Sequence, residues 1–231
     1  MFSHTGQNRI YRHNIMLAAL LCLTAGFVNV AGFLAFSVLT TNVTGHVAVF
    51  AEKLAQGNFA IARIVGLWMF MFLFGAFLSS FIVNNIFHNK RYSYTIPILA
   101  EVIILITVAS YGYHYDKTIE KTEFFAGSLL FAMGMQNALV SMVSGSVVRT
   151  THLTGMFTDL GIEIAAIISP DTADRSDLRK KILLRVIIIS FFFLGGISGG
   201  YLFKILMYYT FFIPAGILLV AVFFDIASFK N

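Results

Sequence analysis

Long runs without a charged side chain dominate the chain. Ile15–Leu39, Ile64–Phe87, Phe124–Val148, Val186–Phe203 and Ile205–Phe224 hold no Asp, Glu, Lys or Arg, and Tyr94–Tyr113 holds only Glu101. A helix needs about 20 apolar residues to cross about 30 Å of hydrocarbon. The pattern therefore predicts six transmembrane helices. The last two need a turn near Lys204–Tyr209, where Tyr201, Tyr208 and Tyr209 could form an interfacial belt. Arg9 and Arg12 precede the first run as in a signal peptide. That run exceeds the roughly 7–15 residues of a signal core and ends in no clear A-x-A site, so a retained helix is expected.

Two segments break the pattern. Thr40–Gln56 and Thr150–Ser169 each follow a long apolar helix without a real loop. Both open with polar, β-branched residues and a glycine, then turn helical. At about 1.5 Å per residue they are short for a full crossing. They are read as short embedded or re-entrant helices, with eight spans as the alternative. The fold expected is an all-α polytopic membrane helix bundle.

Composition agrees. Hydrophobic residues make up 58%, charged residues 12%, and Phe alone accounts for 25 positions. Soluble domains carry about a quarter charged residues. This excludes a soluble enzyme, a disordered chain and a nucleic-acid reader. The net charge of +5 has a topological origin. With six spans, the inner side takes Arg9, Arg12, Lys90, Arg91, Arg149, Arg175, Arg179, Lys180, Lys181, Arg185 and Lys230. The outer side takes only Lys53, Arg63, Lys117, Lys121 and Lys204. Positive charge concentrates on the cytoplasmic side, so both termini are expected there. The eight-span count gives the same sidedness for the termini. Cys22, the single cysteine, can form no internal disulfide.

The awkward segments match each other. Thr40-Thr41-Asn42-Val43-Thr44-Gly45 aligns with Thr150-Thr151-His152-Leu153-Thr154-Gly155. Upstream, Gly26-Phe27-Val28-Asn29 aligns with Gly134-Met135-Gln136-Asn137. Downstream, Arg63 precedes Gly75 as Arg185 precedes Gly195, and Pro97 and Pro214 sit in the last helix of each half. The chain reads as one membrane domain of two repeats, 15–115 and 123–229. Interrupted hydrophobic segments at matching positions point to a binding site. Three spans per half make the repeats inverted, and four make them parallel.

At these residues the chain resembles the YoaK family, bacterial inner-membrane proteins of unknown function. The likeness runs along nearly the whole chain and is most specific at 26–33 with Thr44-Gly45-His46, and at 134–138 with 149–155. The family pattern has Asp-Ala at Asn29-Val30 and Thr-Gly-Asn at Thr44-Gly45-His46, so the first half here lacks that charge. The resemblance implies a plasma-membrane protein and no particular substrate.

Polar residues inside such a chain carry the chemistry. Ala18, Cys22, Ala25, Asn29 and Gly32 form one stripe, and Gly134, Asn137, Ser141 and Ser144 another. Small stripes are commonly packing seams. The two Thr-Thr-x-x-Thr-Gly breaks leave backbone groups unpaired unless they are buried or line a wet cavity. Their hydroxyls and the following helix N-termini can replace part of a solute's hydration shell. A Thr-capped turn is the plainer reading. The substrate residues expected are Asn29, Thr41, Asn42, Thr44 and His46 on one side. Gln136, Asn137, Thr151, His152 and Thr154 supply the other. Asp159 and Glu163 share a stripe with His152 and suit proton or cation coupling. Neutralisation by Arg149, Arg185 or Arg63 is the structural alternative. Glu101 is expected to pair with Arg63 or an Asn.

Gly196-Ile197-Ser198-Gly199-Gly200 fits G-x-S-x-G, but within an apolar helix a packing seam is the better reading. No zinc, Walker or dinucleotide motif occurs, so no cofactor and no metal are expected. The leading expectation is a small-solute transporter or channel in the lipid bilayer, with a homo-oligomer left open. The alternatives are an intramembrane serine hydrolase using Ser198 with His46 or His152, and a non-transporting scaffold or receptor.

Overall fold

A computed structural model of the protein describes residues 11–86, 93–169 and 174–227. Arg9, Phe87, Lys90, Arg91 and Lys230, used in the readings above, lie outside them. The described chain is an all-α bundle: α1 Tyr11–Phe36, α2 Val43–Ala55, α3 Phe59–Phe81, α4 Thr95–Tyr111, α5 Ile119–Ser144, α6 Leu153–Ile168, α7 Arg175–Leu206 and α8 Phe212–Ala227. Among the described residues five stretches are long and apolar enough to cross a membrane, the last being Arg175–Asp225. That stretch is not one rod. Met207 adopts φ 50° and ends α7, and a 3-10 turn, Met207–Phe211, leads into α8. The turn overlaps the Lys204–Tyr209 segment expected to separate the last two spans.

The short helices have 13 and 16 residues. At about 1.5 Å per residue they reach roughly 20 and 24 Å, short of a bilayer core. The preceding helices stop earlier than their apolar runs predict. Ser37 at φ 58°, and Gly145 and Ser146 at φ 63° and 65°, are left-handed and reverse the chain. Apolar residues continue to Leu39 and Val148, so hydropathy alone could not mark these ends.

Helix directions follow from contacts. Phe36, at the end of α1, stacks on Phe125, near the start of α5, at 5.3 Å. Gln136 of α5 reaches back to the Leu21 carbonyl oxygen at 2.8 Å. The two helices are therefore antiparallel. A Cβ at Gly195 would collide with the Leu23 carbonyl, and one at Gly199 with that of Phe27, so α7 runs parallel to α1. Arg63 meets Glu123 near the starts of α3 and α5, and Asn84 meets Met142 near their ends. Those helices are parallel as well.

The helix pairings are symmetric. The most extensive contacts are α1 with α7 and α3 with α5; α2 lies on α3 and α6 on α7, while α4 packs on α8. Exchanging α1–α4 with α5–α8 preserves each of these pairings. The glycines follow the same exchange. A Cβ at Gly26 would strike the Phe192 carbonyl oxygen, and one at Gly134 that of Phe72. A Cβ at Gly75 would strike the carbonyl of Phe131, as one at Gly195 strikes that of Leu23. Each seam brings backbone against backbone, which only glycine permits. Ala18, Cys22 and Ala25 are fully buried in the core.

Outward positions are apolar. Phe70, Phe74, Phe77 and Phe81 are exposed along α3 and stack in sequence. Such a ladder suits lipid rather than water. Phe36, Tyr113, Tyr115, Phe125, Phe203 and Tyr208 cluster at one end of the bundle. Beyond that end the turn into α5 is held by Asp116. Hydrogen bonds from Lys121 and Thr118 keep its carboxyl below the usual carboxylate range.

Candidate functional site

The reversal after α1 does not carry the chain away from the bundle. The Thr41 N–H donates to Asn29 Oδ1 at 3.1 Å, so the chain has come back to the level of residue 29. Asn29 lies seven residues before the end of α1, about 10 Å down the helix. From there α2 returns toward the aromatic end, antiparallel to α3. His46 packs on Trp68 at 5.7 Å, and a Cβ at Gly66 would lie 3.2 Å from the Phe50 ring. In the second half α6 runs from its break toward the start of α7, where Arg185 meets Asp159 and Glu163. That is the opposite end of the bundle. The two half-length helices diverge and their N-termini face one space.

Each N-terminus is built around its glycine. Asn42 caps α2 by accepting from the Gly45 N–H at 2.9 Å. A Cβ at Gly45 would crowd the Asn42 amide, and one at Gly155 would collide with the His152 ring. The glycine of each Thr-Gly leaves room for the side chain three residues before it, Asn42 in one half and His152 in the other, to fold over the first turn. No side chain caps α6. First-turn N–H groups have no intrahelical acceptor. Apart from Gly45, the leading amides of both helices have no cap among the described residues.

The space between them is a cavity of about 580 Å³. Asn29, Thr41, Asn42 and Thr44 line it from the first half, and Asn137, Thr151, His152 and Thr154 from the second. These eight expected residues come together. Phe72 and Phe192 supply apolar wall at matching places in α3 and α7. Thr41 is 7% exposed, and its hydroxyl bonds to no described residue. Asn137 Oδ1 is buried without a partner among the described residues.

Four expected residues lie elsewhere. His46 is turned back to the chain before the break, with Nε2 2.8 Å from the Leu39 carbonyl oxygen. Gln136 is buried in the α1–α5 seam, where it holds the Leu21 carbonyl. Asp159 and Glu163 sit along α6 and share Arg185, at 3.1 and 2.8 Å. The Arg185 partnership is one of the neutralising pairs the sequence allowed. Glu101 corrects another expectation. Arg63 pairs with Glu123 at 3.6 Å, because the start of α3 faces α5 rather than α4. Glu101 is fully buried, and neither oxygen has a partner among the described residues. Ser198 donates to the Leu194 carbonyl at 2.8 Å and to that of Gly195 at 3.0 Å, within its own helix. It forms no hydrogen bond with His46 or His152 and does not line the cavity.

Arg149, Ser141 and Ser146 also line the cavity and were not among the expected site residues. Arg149 makes no ion pair with a described acid. The available signal was its position: it precedes Thr150-Thr151 where Leu39 precedes Thr40-Thr41. No metal-binding cluster of His, Cys, Asp or Glu occurs among the described residues.

Fold and site define a membrane-like helical bundle in which two half-length helices start at one polar cavity. The chain matches, over residues 17–224, the family described as "Protein of unknown function (DUF1275)", and it belongs to that family. No curated protein and no solved structure matches it.

Proposed function

We propose that the protein is a small-solute transporter or channel of the bacterial inner membrane, and that its solute site is the cavity between the two breaks. One observation carries this reading. Polar residues from two sequence-distant breaks converge with two helix N-termini at one open cavity in an otherwise apolar bundle. Irregular backbone at membrane depth is tolerated where it lines a wet cavity, and broken helices at repeat interfaces are how many transporters hold their cargo. The antiparallel relation of α1 and α5 supports two inverted repeats, 15–115 and 123–229. It favours six spans with two re-entrant helices over eight. The charge distribution then supports both termini in the cytoplasm. The YoaK-like motifs at 26–33 and 149–155 support the inner-membrane assignment.

Asp159 and Glu163 enter this reading as holders of α6 against α7. A coupling role would require Arg185 to release them during transport.

The test is osmotic. Proteoliposomes are shrunk with an impermeant sugar plus one small solute, and re-swelling is followed by light scattering. Glycerol, urea, acetate, succinate and choline form the panel. At least one should enter faster than into protein-free liposomes, and bulky Thr44→Trp or Thr154→Trp should remove the excess. Entry at the protein-free rate for every solute would contradict transport and leave the scaffold reading.

A further inference from the structure

The cavity has a sign. Among the described residues its lining contains Arg149 and no Asp or Glu. The nearest acids along α6, Asp159 and Glu163, are both committed to Arg185. The N-termini of α2 and α6, of 13 and 16 residues, open onto it, and each contributes about half a positive charge. The uncapped amides of Val43, Thr44, Leu153 and Thr154 have no acceptor among the described residues. Thr41, nine-tenths buried, brings a hydroxyl that bonds to no described residue. Asn29 uses its oxygen on the Thr41 N–H, so its amide NH₂ is the group left to offer.

We infer that the cavity binds an anion bearing carboxylate or phosphate oxygens, with Arg149 as the charged anchor and the two helix N-termini as the oxygen cradle. This rests on the transport reading for where the solute sits, and goes beyond it in naming its charge and chemistry. Donor excess is the argument. A cation would face Arg149 and two positive helix ends with no carboxylate to hold it. A guanidinium matches two oxygens of a carboxylate or phosphate at once. About 580 Å³ exceeds the room one bare inorganic ion needs and falls in the range of organic ligands. Phe72 and Phe192 give the organic body an apolar wall. Asn137 Oδ1 is a buried acceptor with no partner among the described residues. A half-turn of its amide presents NH₂ in the same place.

The test reads the cavity's potential without needing the natural cargo. Thr44→Cys and Thr154→Cys are made separately in a Cys22→Ala background, and the proteins are purified in detergent. Each is reacted with methanethiosulfonates carrying a sulfonate or a trimethylammonium group. The ratio of the two rates, divided by the same ratio for 2-mercaptoethanol, cancels differences in thiolate fraction. The sulfonate should be favoured about tenfold or more. Arg149→Gln should erase most of that preference, while Arg149→Lys should keep most of it and shows that charge rather than folding is read. A ratio near that of the free thiol, a preference for the cation, or no effect of Arg149→Gln would overturn the inference. Failure of both reagents to react would overturn it too, since the cavity would then be closed. Flux separates the two claims. Sulfonate preference without entry of acetate or succinate keeps the anion site and removes transport. Entry of glycerol or choline alone, with no sulfonate preference, does the reverse.

Discussion

The backbone amide of Thr41 is held by the side-chain oxygen of Asn29 at 3.1 Å, across twelve residues of chain. This bond fixes how far the first break folds back and therefore where α2 begins. Asn29→Leu would leave the N–H of a buried residue without an acceptor, costing about 1–3 kcal/mol. Asn29→Asp keeps an oxygen in place. Thermal unfolding in detergent should show a clear loss for the leucine variant and a small one for the aspartate. Equal losses would mean that the bond does not set the break.

The paired glycine seams give a second expectation. Gly26→Ala and Gly134→Ala drive a methyl into the carbonyls of Phe192 and Phe72, which are backbone and cannot swing aside. Each should cost about 1–3 kcal/mol or more. Gly161 in α6 has open space around it, so Gly161→Ala should be neutral or stabilising by up to about 1 kcal/mol. Melting of all three variants in one detergent checks the order.

Arg185 bridges two acids of unequal burial. The Glu163 side chain is 11% exposed and that of Asp159 46%. Glu163→Gln should destabilise by about 1–3 kcal/mol, the usual loss at a buried charged hydrogen bond. Asp159→Asn should cost under about 1 kcal/mol, as at exposed pairs. Asp159→Asn should also leave any solute entry near the wild-type rate. Loss of entry with unchanged melting would instead give Asp159 the coupling role its place in the sequence suggested.

Glu101 is fully buried in α4 with no donor to either oxygen among the described residues. Removing an unsatisfied buried polar group relieves its desolvation cost, about 1–3 kcal/mol. Glu101→Leu should therefore melt higher than wild type. A lower melting point would show that the carboxyl has a partner role in the bundle.

Helix number and type were legible because a bilayer demands long apolar runs, and the breaks because polar residues interrupt them. The eight cavity residues Asn29, Thr41, Asn42, Thr44, Asn137, Thr151, His152 and Thr154 were legible because the same short motif occurs twice. What the sequence withheld was pairing in space. Gln136 has the same spacing to its break as a site residue, yet helix rotation turns it onto Leu21. His46 belongs to the motif, but it directly follows Gly45 in α2 and its ring turns back to Leu39. The partners of Arg63 and Arg185 depend on which helices touch, which no local pattern encodes. In the sequence Arg149 reads as a topology charge or as a neutraliser of Asp159 and Glu163, because a basic residue at a helix end is common for the first reason.

The central claim is that the two breaks meet at one cavity, and a cross-link tests it most directly. Thr44→Cys and Thr154→Cys are combined in a Cys22→Ala background, with a protease site inserted in the exposed turn at Asp116–Thr118. A short bis-maleimide should join the halves, so that cleavage leaves one full-length band. The pair Phe70→Cys with Thr154→Cys, one on the exposed face of α3 and one in the cavity, should not join. Separation of the Thr44–Thr154 halves after cleavage, at any reagent concentration that labels both cysteines singly, would contradict the account.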